Sequence, residues 1–135
     1  MAKLPPAPKT ILIVDDEMNM RIFIKTLFET SGYQVLTARD GKEGMRKVDQ
    51  HQPHLIILDV MMPGEGGVIM YQNLKTDPRH AAIPVIMLSG VGLKTFDHFL
   101  TMLKGRTGGS VPEPDHYLEK PPEPSQLLKI AESLL

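Results

Sequence analysis

Apolar residues in this chain fall into two alternating kinds of segment. Thr10 to Val14 (TILIV) is a short unbroken apolar run rich in β-branched residues, the pattern of a strand buried on both faces. Met18 to Thr30 follows, with Met20, Phe23, Ile24, Leu27 and Phe28 at helical spacing and Gly32 placed to end the helix. Tyr33 to Ala38 (YQVLTA) reads as a second strand. Asp40 stands where it can cap a helix running through His51, with Glu43 three residues on in a box-like pattern. His54 to Asp59 (HLIILD) is the third strand, and Gly67 to Thr76 a short helix. Pro84 to Leu88 is the fourth strand, Leu93 to Lys104 a fourth helix, His116 to Glu119 a short fifth strand, and Ser125 to Leu135 a last amphipathic helix.

Five β-α units joined by short connections imply an α/β fold: a doubly wound, five-stranded parallel sheet with five helices shared between its faces. Residues 1–9, which include Pro5, Pro6 and Pro8, are expected to form a flexible lead-in. Residues 10–135 are expected to form one domain, with no room after the fifth helix for a second, output domain. Composition narrows the function classes. The 135 residues are 41% hydrophobic and 23% charged, with a formal net charge of −1, so bulk electrostatics favours neither nucleic acid nor a membrane surface. The chain has no cysteine, which excludes disulfides and thiolate metal sites. No stretch approaches the roughly 20 apolar residues that span a bilayer. The N-terminus carries no signal-peptide pattern. A cytoplasmic location, without direct nucleic-acid or membrane contact, is the expectation.

In an open α/β sheet the ligand crevice lies beyond the carboxyl ends of the strands, at the switch point of the topology. Strand one ends in Asp15 and Asp16, strand three in Asp59, strand four in Ser89, and strand five in Glu119 and Lys120. Singly, each has a plainer reading: an Asp after a strand often only caps the next helix, Ser89-Gly90 is ordinary turn chemistry, and Lys120 is a surface lysine. All of them at the same ends of successive strands is a different matter. Clustered carboxylates repel one another unless a cation sits among them. An all-oxygen set with few carboxylates suits Mg²⁺, the usual companion of phosphoryl groups. Phosphoryl transfer also uses a hydroxyl and a fixed cation, for which Ser89 and Lys120 are the right types. Asp59, which emerges from the apolar run Leu55 to Leu58 onto a glycine-rich loop, is the best candidate nucleophile.

The segments ILIVDDE, LIILDVMMPGEGG, VIMLSG and YLEKPPEP, in that order, resemble the four motif blocks of response-regulator receiver domains, the phosphoacceptor modules of two-component signalling. The resemblance runs from Thr10 to the C-terminus and implies a flavodoxin-like (βα)5 fold. It further implies Asp59 as phosphoacceptor, and Mg²⁺ held by Asp16, Asp59 and the main-chain carbonyl of Met61, with Asp15 acting partly through water. Ser89 would bind a phosphoryl oxygen and Lys120 would balance its charge, with a cis Lys120-Pro121 bond. Tyr117 falls on the family's aromatic switch position, against the plainer reading of a half-buried strand aromatic. The implied partner is a histidine kinase or a histidine phosphotransfer protein. A downstream partner would read the face built from helix four, strand five and helix five. A weak phosphorylation-linked homodimer belongs to the same expectation.

Two posts beside the site are unusually apolar: Met61, two residues after Asp59, and Val91, two after Ser89. Side chains there can orient the water that hydrolyses an acyl phosphate, so the sequence predicts a longer-lived phosphorylated form; the plainer reading is that the two pack together. Met61, Met62 and Met87 otherwise read as core filler, and Arg39, Lys42, Arg46 and Lys47 as a solvated helix face. Lys104 to Asp115 (KGRTGGSVPEPD) is an extra loop, expected to be mobile and to shape partner choice. Two other functions compete. An aspartyl-phosphate phosphatase usually carries a second acid two residues after its nucleophile, where this chain has Met61. A docking module indifferent to phosphorylation has no need of the set Asp15, Asp16, Asp59, Ser89 and Lys120.

Overall fold

Leu55–Asp59 and Val85–Ser89 are buried along their whole length, as strands must be when helices cover both faces of a sheet. They are β3 and β4 of a five-stranded parallel sheet whose other members are β1 (Thr10–Val14), β2 (Gln34–Ala38) and β5 (His116–Glu119). The helices are α1 (Met18–Thr30), α2 (Gly41–His51), α3 (Gly67–Thr76) and a C-terminal helix (Pro124–Leu134). The structure is a computed structural model that describes residues 7–62, 66–90, 97, 98, 101, 105 and 111–135. Most of the fourth helix expected over 93–104 lies outside the described residues, although 97, 98 and 101 are helical.

The strand order is β2-β1-β3-β4-β5, so the winding reverses between β1 and β3. The sheet divides the core into two layers by simple alternation. Leu12, Val14, Ile56, Leu58, Val85 and Met87 face Val48, Met70, Tyr71 and Leu74 on one side. Ile11, Ile13, Leu55, Ile57, Ile86 and Leu88 face Ile24, Phe28, Leu127 and Ala131 on the other. Helix ends follow local chemistry. Asp40 caps α2 through a 2.8 Å bond from the Glu43 amide. The Glu43 carboxylate turns instead to Arg39 and Lys47, each at 3.5 Å. Gly32, at φ +95°, takes the left-handed turn after α1.

Several side chains depart from the helical and loop patterns. Phe23 is 40% exposed and not part of the core, because α1 buries a stripe centred on Ile24 and Phe28. Lys47 is only partly solvated: its ammonium reaches the Thr37 carbonyl oxygen on β2 as well as the Glu43 carboxylate. The end of the long connection into β5 is anchored rather than loose. Val111 is buried, Tyr71 donates a 2.7 Å bond to the Pro112 carbonyl, and the Asp115 carboxylate accepts from the Val85 amide at 2.8 Å. Residues 106–110 of that connection lie outside the described residues.

Gly67 opens α3 against the backbone of the strand end. A Cβ there would overlap the Asp59 carbonyl oxygen and lie 2.9 Å from Val60 Cα, both main chain. A Cβ on Gly44 would instead meet the flexible end of Met70 at 2.9 Å. Gly67→Ala is therefore expected to destabilise at or beyond the upper end of the roughly 1–3 kcal/mol typical of overpacking, and Gly44→Ala near the lower end. Urea denaturation of the two variants checks the ranking; equal losses would contradict it.

Candidate functional site

The reversal between β1 and β3 opens a crevice, and the strand ends fill it with charge. Asp15, Asp16 and Glu17 follow β1, Asp59 ends β3, Ser89 ends β4, and Lys120 follows β5. Backbone pairing carries each residue into place. The Asp15 amide donates to Ala38 O at 3.1 Å, Val60 to Leu88 O at 2.9 Å, and Lys120 to Ser89 O at 2.8 Å. The Lys120-Pro121 peptide bond is cis. The Lys120 ammonium lies 2.8 Å from Asp15 Oδ2, 3.0 Å from Glu17 Oε1 and 3.2 Å from Asp59 Oδ2. A cavity of about 360 Å³ opens here, lined by Glu17, Met20, Asp59, Met61, Gly90, Lys120 and Pro121.

Asp15, Asp16, Glu17 and Asp59 each offer a carboxylate oxygen within 4.8 Å of the others. Among the described residues the donor set is all oxygen, and one ammonium, that of Lys120, stands against four acids. That excess shows in the titration of Asp59. Burial and the neighbouring Asp15 charge raise its carboxyl from the ordinary 3.8 to about 7, against the lowering pull of Lys120 and the Met61 amide. Burial alone would lower the Lys120 ammonium, but its bonds to Asp15 and Glu17 and the Asp15 and Asp59 charges hold it above its usual value. Arg21 does not relieve the acids directly, since its guanidinium donates to the main-chain oxygen of Asp15.

The structure thus brings together Asp15, Asp16, Asp59 and Lys120, and seats Ser89 fully buried one strand away. Tyr117 on β5 is half-buried and lies near Ser89. Burial, the largest influence on it, raises its hydroxyl pKa, against a lowering pull from Ser89. Met62 and Met87 are core residues, but Met61 is 53% exposed at the cavity mouth and is not filler. Its amide donates to Asp59 Oδ1 at 3.2 Å. Val91, the other apolar post named from the sequence, lies outside the described residues. Glu17 is the residue that the strand-end criterion passed over. Its only sequence signal is adjacency to Asp15 and Asp16, one residue beyond the pair that the criterion picks.

Similarity to known proteins agrees with this geometry. The family pattern of the response regulator receiver domain matches residues 11–132. The phosphate regulon transcriptional regulatory protein PhoB of Pseudomonas aeruginosa is 34% identical over 127 residues, 94% of this chain and 52% of that protein. The polar-differentiation response regulator DivK of Brucella anthropi is 31% identical, over 95% of this chain and 97% of its own length. The crystallised chemotaxis protein CheY4 of Vibrio cholerae superposes with a TM-score of 0.80 at 27% identity, covering 96% of this chain and all of that one. The chain spans about half the length of several of its curated relatives, PhoB and the probable transcriptional regulator ycf27 of Cyanophora paradoxa among them.

The raised Asp59 carboxyl has a consequence for stability. Between 3.8 and about 7 the folded state keeps a proton that the unfolded state has lost, so this group makes stability fall as pH rises through that window. Asp59→Asn removes the charge and keeps the shape. It is expected to raise Tm, and by more at about pH 8 than at about pH 4. A gain that is equal at both would contradict the origin given for the shift.

Proposed function

This chain belongs to the response regulator receiver domain family, and from that premise we propose that Asp59 accepts a phosphoryl group from a histidine kinase or a histidine phosphotransfer protein and that the group's charge resets a partner-binding face. The observation that carries the reading is the meeting of Asp59, Asp15 and Lys120 in one solvent-connected crevice. In the reaction an Asp59 carboxylate oxygen attacks phosphorus. The bond from phosphorus to the donor's imidazole nitrogen breaks, its electron pair leaves with the imidazole, and an acyl phosphate remains. Lys120 faces the charge on the transferred oxygens, and the Ser89 hydroxyl donates to one of them. The domain acts on itself in this scheme and turns over no separate substrate.

Four carboxylates within 4.8 Å and one ammonium fit a hard divalent cation. Asp15, Asp16, Asp59 and the Met61 main-chain carbonyl would hold Mg²⁺ here. Bound there, it supplies positive charge to the phosphoryl oxygens. Its charge would also draw the Asp59 carboxyl down from about 7, so that the nucleophile is ionised at neutral pH.

The nearness of Tyr117 to Ser89 supports a switch of two states. A phosphoryl oxygen that engages Ser89 competes for its hydroxyl, and Tyr117 repacks at the edge of β5. The surface that β5 shares with the C-terminal helix is then the face a downstream partner reads. Its relatives include a transcriptional regulatory protein and a chemotaxis protein, so the family alone does not name that partner.

Incubation with a small acyl phosphate and Mg²⁺, followed by intact-mass measurement, is expected to show one added phosphoryl group in the parent and none in Asp59→Ala. A parent that gains nothing would overturn the assignment. Met61 is exposed beside the acceptor and offers no polar group to orient a hydrolytic water. Met61→Asn is therefore expected to shorten the life of the phosphorylated form severalfold, measured as release of inorganic phosphate. An unchanged lifetime would show that this post does not set the rate.

A further inference from the structure

Glu17 has no part in the transfer just described, yet its carboxylate is committed to the site. It occupies the N-cap of α1, where an acidic side chain ordinarily accepts from the first-turn amides, and it makes no such bond. The Asp15 carboxylate instead accepts the Glu17 amide at 2.9 Å, and Glu17 Oε1 reaches Lys120 at 3.0 Å. A lysine ammonium has three protons, and in this structure three carboxylates already surround it. Phosphorylation turns Asp59 into an acyl phosphate and sets phosphoryl oxygens against the same ammonium, in competition with Asp15 and Glu17. The Asp15 and Asp59 side chains are 2% and 4% exposed, whereas that of Glu17 is 60% exposed and is rehydrated at little cost when it lets go.

We propose that Glu17 is a positioning residue that holds the Lys120 ammonium in the unphosphorylated protein and is the partner the phosphoryl group displaces. The inference rests on Asp59 being the phosphoacceptor. Glu17 sets the resting place of the lysine and at the same time competes with the phosphoryl group for it. After transfer the freed carboxylate stands at the head of α1, so phosphorylation alters charge at this edge of the domain as well as at Tyr117.

The test is Glu17→Gln, which removes the charge, keeps the length and touches no core residue. With a small acyl phosphate and saturating Mg²⁺, its initial rate of phosphorylation should exceed the parent's by roughly two- to fivefold, the range that an exposed ion pair carries. The nitrogen and proton NMR signals of the Lys120 ammonium should differ between parent and variant at rest. They should coincide once beryllofluoride, a stable stand-in for a phosphoryl group on a carboxylate, occupies the site. An unchanged or slower rate overturns the proposal, as does a spectral difference that persists with beryllofluoride. A raised Mg²⁺ requirement in the variant also overturns it, since that would make Glu17 a metal ligand and not a lysine tether. If the parent itself gains no phosphoryl group on Asp59, the phosphoacceptor reading fails and this inference fails with it. A normal parent beside a variant of parental rate removes this inference alone.

Discussion

At the carboxyl edge of the sheet the Lys120 ammonium lies 2.8 to 3.2 Å from three carboxylates, and the site takes its character from that imbalance. Asp15 and Asp59 are nearly removed from water, which strengthens every charge interaction between them. Burial first and the Asp15 charge second raise the Asp59 carboxyl, and Lys120 offsets them only in part. A pocket with unmatched negative charge binds cations and resists dianions unless a cation is present. The attraction of this pocket for a cation thus follows from the arrangement of side chains and not from any single residue.

The rest of the fold holds these groups where they would not otherwise stay. Asp59 sits on a strand paired on both sides, and its neighbour Val60 continues the pairing to Leu88. Gly67 lets α3 start directly against the Asp59 main chain, so Asp59 is backed by a helix with no side chain between. Lys120 is carried in from the far edge by the β4-β5 pairing and its own amide bond to Ser89. Two apolar layers of strand and helix residues lock this frame. Mutual repulsion of the acids is then borne by the core and does not relax by movement of the backbone.

Much of this was legible in the sequence because strand ends and side-chain chemistry are both local signals. The run from Leu55 to Leu58 marks a strand buried on both faces, and Asp59 is where it leaves the core. Asp15, Ser89 and Lys120 follow by the same rule on neighbouring strands. The rule fails where a long side chain decides. Glu17 joins the site by reaching a lysine 103 residues away, and no periodicity encodes that reach. Met61 lies between the buried Val60 and Met62, so hydrophobicity alone assigned it to an interior it does not enter. His80 is similar: it is 2% exposed, and its Nε2 lies 2.7 Å from Asp49 Oδ1, tying the loop after α3 to α2. Nothing in TDPRHAAIP signals that tie.

A phosphoryl group on Asp59 would add charge where charge is already unbalanced, and the two soft contacts of the site lie on opposite sides of it. On one side Ser89 neighbours Tyr117, at the outer edge of the sheet. On the other, the exposed Glu17 shares Lys120 at the head of α1. The buried partners Asp15 and Asp59 cannot move without unpairing strands, so new charge is accommodated by the contacts that can break. The rigid core and the imbalance of charge act together here: the first confines the response to the two margins, and the second supplies the force that drives it.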